Sequence, residues 1–98
     1  MKLNNLKSEF LKYMAKSYAK DHNRVFMFER FKSLHPELDD DFISDALYAL
    51  KADGFVTVFD ADDVAYETTL LPNAICAVEE DTLVKKGYSF VKEIRSWF

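Results

Sequence analysis

Apolar residues early in the chain recur at helical steps. Leu3, Leu6, Phe10, Tyr13 or Met14, and Ser17 follow one another at intervals of three and four, the spacing of one helical face. They predict a first helix over about residues 5–20. Lys7, Lys12, Lys16 and Lys20 fall mostly off that stripe and are expected in solvent. Asp21-His22-Asn23 interrupts the pattern, with Asn23 a candidate cap for the next helix. That second helix is predicted over residues 24–34, holding Val25, Phe26, Phe28, Phe31 and Leu34; taken alone, residues 25–28 also suit a strand. His35-Pro36 ends it, because the residue before proline is driven out of the helical region.

The third helix is the clearest element. Asp39, Asp40 and Asp41 supply a cap and first-turn carboxylates that suit the positive end of a helix. Phe42, Ile43, Ala46, Leu47 and Leu50 then make a wide apolar face, and Gly54 stands where a left-handed stop is wanted. A β-hairpin comes at once: Phe55-Val56-Thr57-Val58-Phe59, the turn cluster Asp60-Ala61-Asp62-Asp63, and a return strand over residues 64–71. From Pro72 to Glu80 two readings stand, a short helix opened by the proline or a strand over residues 74–78. Leu83, Gly87, Phe90, Val91, Ile94 and Trp97 or Phe98 predict a last helix over about residues 83–97, capped by Asp81 or Thr82.

The 98 residues suit a single domain spanning 1–98, and 49% hydrophobic content suits one core. Two Gly and two Pro leave little room for long disordered stretches. No apolar run approaches the ~18 residues of a membrane span. Residues 1–10 alternate charged and apolar side chains without a signal-peptide core, so a cytoplasmic location is expected. Cys76, the single cysteine, lies in the apolar run Ala74-Ile75-Cys76-Ala77-Val78 and reads as a small buried hydrophobe.

Charge sharpens the picture. The net charge is −4, but residues 1–38 carry eight basic and four acidic side chains, residues 39–82 one basic and twelve acidic, and residues 83–98 four basic and one acidic. An acidic middle lies between two basic ends, and this bears on the kind of partner.

Three helices, a glycine stop, a hairpin and a terminal helix stand in the order of a winged helix-turn-helix domain, an α+β fold. The segment FISDALYALKADGFVTV, residues 42–58, resembles the pattern in which a helix of F-x-x-A-L-x-x-L-K type ends at Gly plus an aromatic and enters the wing. Together with Lys92-Glu93-Ile94-Arg95-Ser96-Trp97, it is similar to the YjcQ-like group of small bacterial and phage-related proteins, whose helix and hairpin are succeeded by two helices ending in K-E-I-x-x-W. The likeness covers roughly residues 39–98 and rests mostly on packing positions. The chain departs from the L-T-x-x-G that often comes after a wing: Leu71 replaces Thr and Ala74 replaces Gly, unless Leu83 to Gly87 is the matching register. The resemblance implies a fold and a phage or mobile-element setting, and no activity.

The chemistry-bearing residues point away from catalysis. His22 and His35 are thirteen positions apart with no Cys or His at ligand spacing, and the two glycines, 33 positions apart, make no phosphate loop. Asp60, Asp62 and Asp63 lack the glycine and the later ligands of a calcium loop. No catalytic residue, metal or cofactor is therefore expected. A winged helix usually reads DNA with its third helix and wing, and phosphate contact requires Lys or Arg there. Here those elements carry Asp39, Asp40, Asp41, Asp45, Asp53, Asp60, Asp62 and Asp63 against Lys51 alone.

A non-enzymatic module is therefore expected to bind protein, with Asp40, Asp41, Asp45, Asp60, Asp62, Asp63, Tyr66 and Trp97 as candidate contacts. Dimerisation through the last helix is a further expectation. Fifteen aromatic residues also exceed what a small core requires, leaving interface anchors. The alternative is a DNA-binding regulator that uses basic terminal helices, through Lys12, Lys16, Lys20, Arg24, Lys85 and Lys86.

Overall fold

A computed structural model describes residues 1–79. Helix α1 (Leu3–Asp21) buries Leu6, Phe10, Leu11, Met14 and Ala15 on one side. It ends where His22 turns left-handed (φ 57°) and its N–H donates to the Tyr18 carbonyl at 2.8 Å. Lys7, expected in solvent, is instead buried and forms an ion pair with Asp53 at 3.0 Å. Its aliphatic stem covers apolar surface while its head meets the carboxylate at the far end of another helix.

The Asn23 side-chain oxygen accepts the Val25 N–H at 3.3 Å, and the chain then enters strand β1 (Val25–Met27). The second helix is therefore shorter than the sequence predicts, α2 (Phe28–Leu34). Residues 25–27 alternate exposed, buried, exposed, the period of a strand with one covered face. Leu34, expected on the inner face of α2, is exposed.

Helix α3 (Asp40–Ala52) buries Ile43, Ser44, Ala46, Leu47 and Leu50. Asp39 caps it without a side-chain hydrogen bond. At its end Gly54 is left-handed (φ 81°), its N–H donates to the Lys51 carbonyl at 2.9 Å, and the Phe55 N–H donates to the Leu50 carbonyl at 3.1 Å. This pair of bonds satisfies carbonyls that a helix end leaves open, and Leu50 and Phe55 are both buried beside it. The glycine stop is thus where the sequence places it.

Strands β2 (Val56–Ala61) and β3 (Val64–Leu70) form the hairpin. The sheet is antiparallel with order β1-β3-β2, so β3 is central. Phe26, Thr68 and Val58 lie opposite one another across it. Phe59 opposes Glu67 and Asp60 opposes Ala65, which leaves Tyr66 as the extra residue of a bulge. The two-residue turn holds Asp62 (φ 53°) and Asp63 (φ 64°), both left-handed. The Ser44 hydroxyl accepts the buried Ala65 N–H at 3.1 Å and pins α3 to the sheet.

Residues 72–79 form helix α4 (Pro72–Glu79), which decides between the two readings of this segment. Ala74 and Ala77, three positions apart, face inward, so Cys76 between them is exposed rather than buried. The predicted last helix, with Gly87 and Trp97, lies outside the described residues. The core joins α1, α2, α3 and the sheet through Leu6, Phe10, Phe26, Phe31, Leu47 and Leu70.

His35 fastens α2 to its surroundings. One ring nitrogen meets Glu9 of α1, and the other meets Glu37 at 3.0 Å. Burial alone lowers the pKa of His35, but the hydrogen bonds to Glu37 and Glu9 and their negative charges outweigh it and leave it raised above 6.5. Glu37 is held below 4.5 by its own backbone N–H and by the His35 ring.

Two of these local geometries are directly testable. A raised histidine pKa gives stability that is complete below the unfolded value near 6.5 and is lost as pH rises through the folded value. Melting temperature should therefore fall as pH climbs from 6.5 upward, and His35→Gln should flatten that slope; an unchanged slope in the variant removes the role assigned to His35. At the hairpin, Asp63→Gly should raise stability by about 1 kcal/mol, because glycine enters the left-handed region freely. In a thermal melt this is an increase of about 4–8 °C for a domain of this size.

Candidate functional site

The first turn of α3 and the hairpin turn meet. Asp40, the first residue of α3, and Asp62 of the turn line the same pocket, of about 300 Å³. Further along, the Tyr48 hydroxyl of α3 donates to the Asp60 carboxylate at the end of β2. That hydrogen bond, then burial and the charges of Asp60 and Asp45, push the Tyr48 pKa up to about 12. Tyr48 is accordingly a neutral donor at ordinary pH. Asp41 and Asp45 are exposed on α3, and Asp62 and Asp63 are exposed in the turn. The result is one carboxylate-bearing face made from a helix and a hairpin tip.

Most of the residues expected at a protein contact come together here. Asp40 and Asp62 share the pocket, Asp60 and Asp45 lie by Tyr48, Asp63 adjoins Asp62 in the turn, and Asp41 follows Asp40 in the first turn of α3. Asp40 is partly neutralised by Lys32 of α2, 3.0 Å away. Tyr66 is half-buried at the β3 bulge and lines the pocket. Trp97 lies outside the described residues. Among the aromatic residues, Phe59 is exposed at 64% and is free to serve as an anchor, whereas Phe26 is fully buried.

The basic alternative is only partly described. Lys12, Lys16 and Lys20 lie on α1, with Lys12 half-buried and the other two exposed. Arg24 is exposed in the connection to β1. Lys85 and Lys86 lie outside the described residues.

Phe28, one of the aromatic residues in excess of a small core, completes the pocket lining together with Met27, Glu29 and Val64, which the sequence pattern does not mark as contacts. Met27, Phe28 and Glu29 reach it because β1 passes directly into α2 at this point. Pairing of β1 with β3 and the Tyr66 bulge set its wall, and both depend on contacts distant in sequence.

Among the described residues, no group of three or more His, Cys, Asp and Glu side chains is placed to hold a metal ion. None of the described helices is long and apolar enough to cross a membrane. Comparison with known proteins finds no matching family model, no similar curated protein and no similar solved structure.

Proposed function

We propose that this chain is a winged-helix-type, non-enzymatic module that binds another protein through the face shared by α3 and the hairpin turn. The order helix, short strand, helix, helix, hairpin and the sheet order β1-β3-β2 support the winged-helix reading. Within that reading, membership of the YjcQ-like group and an accessory role in a phage or mobile element extend the resemblance seen in residues 42–58.

One observation carries the choice of partner. The elements that would approach a duplex expose Asp41, Asp45, Asp62 and Asp63. DNA affinity comes chiefly from Lys and Arg neutralising phosphates and releasing counterions. Carboxylates in those places repel the phosphates instead, and the same charges attract a basic protein surface. The exposed Lys16, Lys20 and Arg24 near the end of α1 favour a second reading, a regulator that meets DNA with its basic side.

Anisotropy of a labelled random duplex, titrated at low and at moderate salt, separates the two. No binding at either salt is expected. Tight binding that weakens steeply with salt, and that is lost in a Lys16→Gln, Lys20→Gln, Arg24→Gln triple variant, would establish the regulator instead. On an array of basic, neutral and acidic peptides, the protein should retain basic ones. Asp41→Asn with Asp45→Asn should reduce that retention several-fold.

A further inference from the structure

The geometry points to a narrower recognition event, resting on the protein-binding reading: we propose that the pocket between β1, the start of α3 and the hairpin turn receives an arginine side chain of the partner protein. Its volume, about 300 Å³, is at the lower end of small-ligand sites. It has room for one side chain and little more.

The walls have two kinds of chemistry. Met27 and Val64 offer apolar surface for an aliphatic stem, and Phe28 and Tyr66 offer aromatic rings to a flat cation. Glu29, Asp40 and Asp62 bring carboxylates to the same space. Asp40 is engaged by Lys32 at 3.0 Å, whereas Glu29 and Asp62 form no ion pair among the described residues.

Positive charge also reaches this space, because α2 and α3 both begin at the pocket. Each helix start contributes roughly half a positive charge, confined to its first turn. Together with Lys32 these do not cancel three carboxylates, so the pocket stays negative and selects a cation. Arginine fits better than lysine. Its planar guanidinium stacks on aromatic rings and donates paired hydrogen bonds to a carboxylate, while shedding its hydration more readily than an ammonium.

The test is a two-dimensional amide NMR titration of the full chain with a blocked Ala-Arg-Ala peptide. Parallel titrations use the same peptide with citrulline, which keeps the shape and removes the charge, and free L-arginine. The arginine peptide should shift resonances of residues 27–29, 40 and 62–66 and saturate on the order of 1–10 mM, as befits a single side chain. The citrulline peptide should bind at least about tenfold more weakly. Glu29→Gln with Asp62→Asn should weaken the arginine peptide by a similar factor; asparagine tolerates the left-handed turn, and the unperturbed remainder of the spectrum reports the fold.

Equal binding of the citrulline peptide, shifts confined to other surfaces, or no shifts at all would overturn the pocket assignment. Tighter binding of free L-arginine than of the peptide would overturn a partner protein as the source. If basic peptides are retained on the array while the pocket resonances stay still, the pocket proposal fails and the protein-binding reading survives. If basic peptides are not retained at all, the broader reading falls with it.

Discussion

Phe26 is the residue on which the described fold depends. It stands at the centre of a three-residue strand, fully buried, opposite Thr68 of β3. Its ring lies 5.8 Å from that of Tyr13 on α1 and 6.1 Å from that of Phe31 on α2. Phe10 completes the group at 4.8 Å from Phe31. Sheet, first helix and second helix therefore share one aromatic contact. Burying a single large apolar side chain contributes roughly 1.5–3 kcal/mol, and well-placed ring pairs add about 0.5–1.5 kcal/mol. Since β1 passes straight into α2, fixing Phe26 also fixes Phe28 and Glu29, and with them one wall of the pocket.

The acidic face sits on this frame at unequal cost. Asp40 and Asp41 lie in the first turn of α3, where negative charge favours the helix. Their presence is consistent with folding alone. Asp62 and Asp63 are different, since each occupies a left-handed conformation that glycine or asparagine adopts more easily. Two adjacent carboxylates at that turn are not what hairpin stability selects. The contrast locates the part of the face that folding explains least, and Asp62 from that part lines the pocket together with Asp40.

Elements with local causes were legible in the sequence. The α1 stripe, the apolar face of α3, the Gly54 stop and the hairpin all arise from residues within a few positions of one another. What the sequence concealed depends on distant partners. Strand β1 is legible only as an alternative to helix over residues 25–28, and residues 67–69 lying beside it decide the choice. Lys7 looked like a solvent lysine because its partner, Asp53, is 46 positions away. Cys76 looked apolar by its neighbours, yet helical spacing turns Ala74 and Ala77 inward and Cys76 out. The acidic residues of the candidate face were visible as charge, but the pocket among them was not, because a bulge and a strand crossing shape it.

The two sides of α3 do not share residues. Ile43, Ala46, Leu47 and Leu50 hold the interior, and Asp41, Asp45 and Lys51 meet solvent. Mutation can therefore rewrite the outward letters of this helix without disturbing the inward ones. A lineage that kept this scaffold would be free to invert the charge of that outward side by a few substitutions, long before its architecture had to change.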